Sequence, residues 1–176
     1  MPDLIIRRLD PTPALIDALA SLLVETVAGG GSVSFMHPLS VEKATGFCRA
    51  ALEAAARGER IVLGAFLDDM LAGTVTLQLA LPENQPHRAE IAKMMTRPAF
   101  RGRGIASALL REAERLATER GRTLLVLDTA IDGGAAGLYE KHGFVRAGEI
   151  PDFALKPQGG LTGTRLYFKR LEPPAA

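Results

Sequence analysis

The sequence predicts one α/β domain. Three observations carry that expectation: strand-length apolar runs recur along the chain, segments with helical spacing lie between them, and a glycine-rich junction joins one strand run to a long amphipathic segment. With 176 residues, 47% of them hydrophobic and 23% charged, the chain can build one sizeable core and lies outside the composition of disordered sequences. A globule of this size hides roughly 70% of its extended-chain surface, so no disulfide or metal staple is needed. Residues 1–171 are assigned to this domain and EPPAA, residues 172–176, to a short tail.

Residues 4–9 open with a β-like run that Pro11 and Pro13 interrupt. Leu15, Leu19, Leu22, Leu23 and Val27 then follow at near-helical spacing, so a helix is expected from Thr12 or Pro13 to the glycine triplet at 29–31. SVSFMHPLS, residues 32–40, reads as a loop with apolar cargo, and Ser40 is placed to cap a helix over 41–56. Strands are expected over 61–65 and 71–80, turned by Asp68 and Asp69. In the second, Val75, Leu77 and Leu79 share one face while Thr74, Thr76 and Gln78 share the other. Pro82 and Pro86 break the chain before a strand at 88–96. IASALLREAERLATE places a helix over 104–119, TLLVLDT a buried strand over 123–129, and residues 135–141 a short helix. The last strands are expected at 144–149 and 164–169. Between them, IPDFALKPQGGLTG reads as a turn-rich connection carrying Phe153 and Leu155.

Several function classes lose support at once. The formal charge is +1, from 21 Lys and Arg against 20 Asp and Glu, so no global field recruits nucleic acid or an anionic membrane. No Trp and only two Tyr leave little for base stacking. The start MPDLIIRRL is too short and too quickly charged for a signal peptide, and no apolar stretch approaches a membrane span. Cys48 has no partner, which excludes an intrachain disulfide and makes a reducing, cytoplasmic setting the expectation. No metal site is expected, because His37 and His142 lack a ligand grouping and HRAE at 87–90 is not a zinc motif.

MTRPAFRGRGIASALL, residues 95–110, is the most informative stretch. Pro98 halts the strand, Gly102 and Gly104 permit tight backbone geometry, and the helix follows at once. First-turn amides of a helix lack internal acceptors, so residues 102–106 can present several N–H groups to one anion beside Arg101 and Arg103. A diphosphate suits such a turn; a plain strand-to-helix junction with two solvent-facing arginines is the alternative. The lysine and hydroxyl of a P-loop are missing, as is GxGxxG, so ATP hydrolysis and nicotinamide binding lose their usual support.

Arg101, Gly104 and Ala106 match an Arg/Gln-x-x-Gly-x-Gly/Ala pattern directly after the strand and proline, and GLYEKHGF follows at 137–144. In both motifs, and in its order of elements, the sequence closely resembles the GNAT family of N-acetyltransferases. ETVAGGGSVSFM at 25–36, AEIAKMM at 89–95 and LYFKRL at 166–171 further resemble the tabtoxin-resistance subgroup of that family.

The resemblance implies the GNAT acyl-CoA N-acyltransferase fold: a mixed central sheet, helices on both faces, and a cofactor cleft where the strands at 88–96 and 123–128 splay. It implies acetyl-CoA as co-substrate and direct attack by a small amine or amino-acid-like acceptor, including a toxin or antimetabolite. A protein or peptide acceptor and a silent acyl-CoA-binding regulatory module are the alternatives, and a homodimer is compatible with the family. Met95 and Thr96 are expected to meet the pantetheine arm through backbone, and Arg101, Gly102, Arg103, Gly104, Ile105 and Ala106 the diphosphate. Asp132 stands where relatives often carry Asn, and a carboxylate there cannot donate as an amide does; it and Ala135 complete the cofactor set. Tyr139 matches the tyrosine that in relatives donates to the leaving sulfur. Glu90 and Asp128 are both candidates for base or ammonium-binding group, with the choice left open. Ser32, Phe35, Met36, Asp152 and Phe153 are expected around the acceptor, and Cys48 is not expected to act as a nucleophile.

Overall fold

The computed structural model describes residues 3–173, so residues 174–176 of the expected tail lie outside the described residues. One sheet holds β1 (Leu4–Arg8), β2 (Arg60–Leu67), β3 (Met70–Gln78), β4 (Arg88–Thr96), β5 (Leu124–Ala130), β6 (Val145–Leu155) and β7 (Leu161–Arg170). Its spatial order is β1-β2-β3-β4-β5-β7-β6, with β4–β5 the parallel pair in an otherwise antiparallel ladder. The helices are α1 (Pro13–Ala28), α2 (Val41–Ala56), α3 (Ile105–Glu119) and α4 (Ala136–Lys141). No helix among the described residues is long and apolar enough to cross a membrane.

Strand parity divides the core into two layers. In β2, Ile61, Leu63, Ala65 and Leu67 pack with residues of α3 and α4, whereas Val62 and Phe66 pack with those of α1 and α2. Both faces are covered, which is why β2 lacks a polar alternation. Helix starts follow local chemistry. The amide of Leu15 donates to Thr12 Oγ1 at 3.4 Å, and that of Lys43 to Ser40 Oγ at 3.2 Å, so α1 and α2 begin at their polar caps.

Two features position the site. Position 73 in β3 carries no side chain, and a Cβ there would come within 2.8 Å of Met95 O and 2.9 Å of Ile105 Cγ2. Glycine therefore lets the start of α3 settle against the end of β4. The second feature is the expected gap. β4 and β5 pair at Arg88–Leu124, Ala89–Leu125 and Glu90–Val126, after which β4 is paired only with β3 and β5 only with β7. A bulge accompanies the divergence, because Thr74 faces Met95 while Thr76 faces Ala92. Lys93 sits in that bulge at a φ of 53°, a conformation that an L-residue adopts only when its surroundings hold it there.

The last hairpin departs from the sequence reading. The runs at 144–149 and 164–169 extend to Val145–Leu155 and Leu161–Arg170, so Phe153 and Leu155 lie in β6 rather than in a connection. Register irregularities at Arg146/Gly148 and Ile150/Ala154, with Asp152 at a φ of 51°, accommodate Pro151 without ending the pairing. Ladder bonds from β7 stabilise a strand that local propensity does not favour. Arg165 is on β7 between β5 and β6, where Glu149 accepts from its Nε at 2.6 Å.

Candidate active site

The turn before α3 has the geometry that its glycines suggest. Gly102 and Gly104 both take a φ of 76°, Gly104 is the N-cap residue, and no side chain caps the helix. The first helical bond runs from Ala108 N to Gly104 O at 3.0 Å, and the N–H groups of residues 102–107 donate to no protein acceptor among the described residues. Alternation of left-handed glycines with ordinary residues turns successive amides toward one side, and the helix dipole adds positive potential there. Arg101 and Arg103 have no carboxylate partner among the described residues, and the Arg103 guanidinium lies 5.4 Å from the Phe100 ring centre. These residues fit a diphosphate.

Ile105, the first residue of α3, has its side chain buried in the α3/α4 layer and leaves only its amide at the turn, and Met95 likewise turns its side chain into the α1/α2 layer. A Cβ at position 104 meets nothing within 4 Å, so a substitution there acts through backbone strain rather than collision. Gly104→Val is expected to weaken coenzyme A binding about tenfold, from roughly 1–2 kcal/mol of left-handed strain that reorients the neighbouring amides. Calorimetric titration with coenzyme A checks this, with the melting temperature as control for folding.

Downstream of the turn, the gap between β4 and β5 collects groups from both faces of the sheet. Leu125 and Leu127 point into the α3/α4 layer, as do Ala89 and Ile91, which leaves Asp128 and Glu90 on the α1/α2 face. Asp128 is exposed and accepts from Thr164 Oγ1 at 2.8 Å. Glu90 is bound at 2.6 Å by Arg88, whose guanidinium also engages Gln85. From the opposite layer comes Tyr139, 5% exposed, its ring against Phe144 and Tyr167. Burial first, and then the charge of Asp128, push the Tyr139 hydroxyl up to about 12. The chain's two tyrosines differ in one decisive respect: Tyr167 Oη donates to Glu140 at 2.9 Å, while the Tyr139 hydroxyl has no hydrogen-bond partner among the described residues.

Lys93 was not singled out in the sequence, where KMM reads as a strand interior. The bulge brings its ammonium to 3.1 Å from Ser34 Oγ in the 29–40 loop. Desolvation first, with the charge of Arg60 adding to it, holds Lys93 below its usual value, and Asp128 is the opposing, raising charge. A half-buried ammonium and a carboxylate thus share the open gap, and no periodicity announces either the bulge or the contact.

The two segments expected around the acceptor come together, though their side chains divide. His37 N donates to Pro157 O at 2.8 Å, and Gln158 Nε2 to Ala28 O at 3.1 Å, tying the 29–40 loop to the β6–β7 hairpin. Phe35 packs edge-on against Phe47, with ring centres 5.0 Å apart, so much of it supports the loop. Met36 and Phe153 are exposed, Ser32 lies on the same loop as Ser34 and Met36, and Asp152 occupies the irregular part of β6. Asp132 accepts from Thr162 Oγ1 at 3.0 Å, and Ala135 is the uncapped N-cap residue of α4. Cys48 is buried between α1 and α2, and desolvation pushes its thiol up to about 12, which disfavours a nucleophilic thiolate.

Comparison with known proteins gives the arrangement a family. The sequence model of the Acetyltransferase (GNAT) family matches residues 32–144, well over half of the chain, and includes the amide turn, the gap and Tyr139. The N-acetylaspartate synthetase of Danio rerio is 34% identical over 106 residues, which cover 60% of this chain and 36% of that protein. An uncharacterized N-acetyltransferase, YedL of Escherichia coli K12, is 33% identical over 92 residues, 51% of this chain and 55% of its own length. The chain therefore spans only about a third to a half of these curated relatives. Among solved structures, yncA from Salmonella typhimurium with its cofactor acetyl-CoA superimposes with a TM-score of 0.80 at 18% identity, covering 99% of this chain and 97% of that one. A seven-stranded sheet opened between its parallel strands, an uncapped RGRG turn at the gap and the family match over 32–144 together establish that this chain belongs to the GNAT family of acetyltransferases.

Proposed function

We propose that the protein is an acetyl-CoA-dependent N-acetyltransferase whose acceptor is a small amino-acid-like amine that attacks directly. The observation that carries this reading is the shared opening of the β4–β5 gap: an uncapped amide turn, a free tyrosine hydroxyl and an ammonium–carboxylate pair all border it. Acetyl-CoA, when bound, supplies the acetyl group as a thioester. Residues 102–107 hold the diphosphate with their N–H groups, Arg101 and Arg103 neutralise it, and the backbone edge of β4 at Met95 and Thr96 that faces the gap, opposite its pairing with β3, carries the pantetheine arm.

Proton movements fall to two residues. The Asp128 carboxylate takes a proton from the acceptor's ammonium, directly or through water, which leaves a neutral amine. Tyr139 Oη gives its proton to the departing sulfur, and its raised value keeps that proton in place until transfer. Glu90, already held by Arg88, serves the acceptor's positive charge rather than proton transfer.

Lys93 narrows the acceptor class. Its ammonium, held near Ser34 and opposite Asp128, fits an acceptor carboxylate, so the pair would grip the two ends of a zwitterion. The relative named for N-acetylaspartate, an acetylated amino acid, supports this choice. Ser32, Met36, Asp152 and Phe153 surround the acceptor's side chain in this reading, which includes toxin-like amino acids among the acceptors on the strength of the sequence resemblance to the tabtoxin-resistance subgroup. A reducing, cytoplasmic setting and a homodimer complete the reading.

The test is an acetyl-CoA assay over free amino acids, their decarboxylated amines and short peptides, with products identified by mass. Acetylated amino acids are expected; products confined to peptides reject the acceptor class. In Lys93→Met, the KM for amino acids should rise roughly 10- to 100-fold, the equivalent of one charge-assisted hydrogen bond, while the KM for the decarboxylated amines stays level. Equal effects on both sets would remove the carboxylate-binding role.

A further inference from the structure

The domain carries a second concentration of positive charge around the C-terminal end of α3. Two adjoining depressions, of about 460 and 270 Å³, share Gly58, Leu79 and Arg120 in their walls. Arg8, Arg57, Arg60, Arg120 and Arg122 border them, five arginines against the two carboxylates Asp10 and Glu59, in a chain whose formal charge is only +1. They arrive from the end of β1, the exit of α2, the start of β2, the C-cap of α3 and the entry to β5. Arg120, at the C-cap of α3, is separated from the amide turn by the 15 residues of that helix, about 22 Å at 1.5 Å per residue.

Most of this charge is not balanced locally. Glu59 is engaged by Arg57 through two bonds, at 2.6 and 3.2 Å. Arg120 reaches only the carbonyl of Leu116, at 3.4 Å, and Arg122 the carbonyls of Pro86 and Arg88. Arg8 and Arg60 have no side-chain acceptor among the described residues. The Nε atoms of Arg60 and Arg122 are buried without a hydrogen-bond partner, a state that costs desolvation energy unless something outside the chain relieves it. Burial foremost, and then the charges of Arg8 and Arg122, hold the Arg120 guanidinium below its usual value, against the opposing charge of Glu119. None of them has a role in the transfer chemistry proposed above, although the charge of Arg60 reaches Lys93 and lowers it.

We propose that this basin is a second anion site, one that takes a small phosphate-bearing molecule distinct from the acyl carrier. Phosphate is favoured over carboxylate by the layout of the donors. The arginines converge from separate segments around an open basin, and a tetrahedral phosphate accepts donors from several directions, whereas a carboxylate takes them in one plane. Leu9, Ile61 and Leu79 give the walls an apolar portion against which the body of a phosphorylated metabolite can rest.

Inorganic pyrophosphate is the probe, titrated calorimetrically at low ionic strength into protein already saturated with coenzyme A, with citrate as the carboxylate of comparable charge. Pyrophosphate is expected to bind once per chain without displacing coenzyme A, and more tightly than citrate. Arg60→Gln should weaken it at least tenfold. Arg8→Gln and Arg120→Gln, at exposed positions, should do the same and keep the test independent of any folding defect in the partly buried Arg60 variant. Absence of binding, binding indifferent to all three substitutions, or displacement of coenzyme A overturns the site. Citrate binding as tightly as pyrophosphate overturns the phosphate assignment. Because coenzyme A occupancy is followed separately, failure here is distinct from failure of the acetyl-transfer reading.

Discussion

Tyr139→Phe is expected to lower turnover about 100-fold while changing acetyl-CoA affinity less than about twofold, the lower range for loss of a positioned general acid. The substitution keeps the ring that packs on Phe144 and Tyr167 and removes only an oxygen with no protein partner among the described residues. Folding should therefore be preserved, and the loss should fall on the step in which sulfur departs. Since burial and Asp128 raise the hydroxyl to about 12, the wild-type protein should show no loss of this proton across neutral and mildly alkaline pH. Steady-state kinetics, cofactor titration and melting temperature separate these effects. Tyr167→Phe is the control: it breaks a bond to Glu140, so it should lower stability more than turnover. Unchanged turnover in Tyr139→Phe would return that residue to ordinary packing.

Asp128→Asn should also reduce turnover about 100-fold, the loss expected when a positioned general base is removed. Asparagine is nearly isosteric and its carbonyl can still accept from Thr164, so β5 and β7 should stay paired. What disappears is the group able to take a proton from an arriving ammonium. The substitution also removes the charge that raises Lys93, so the Lys93 ammonium should titrate at a lower pH than in the wild type. Glu90→Gln is expected to act mainly on KM, because Arg88 already engages that carboxylate. A turnover loss of about 100-fold in Glu90→Gln, with near-normal turnover in Asp128→Asn, would exchange the two roles.

Much of the cofactor side was readable along the chain because its determinants are local. Pro98, Gly102 and Gly104 decide backbone geometry over a few residues, and a helix start without a capping side chain leaves amides unpaired wherever it occurs. The strand at 88–96 and the helix after Gly104 were legible for the same reason: their apolar periodicity is a property of consecutive residues.

The acceptor side depended on contacts between distant segments. β6 extends through Phe153 because β7 pairs with it, against what Pro151 and the nearby glycines suggest. The bulge at Lys93 exists only relative to β3, and its value lies in reaching Ser34, 59 positions away. Tyr139 and Tyr167 look alike as letters, yet Glu140 occupies one hydroxyl and leaves the other free. Arginines spread from residue 8 to residue 122 became one basin only when β1, β2, α2 and α3 closed around it. Short-range rules for turns, caps and periodicity act on neighbours in the chain, whereas charge, burial and hydrogen-bond occupancy at a cleft depend on which residues folding brings within a few ångströms.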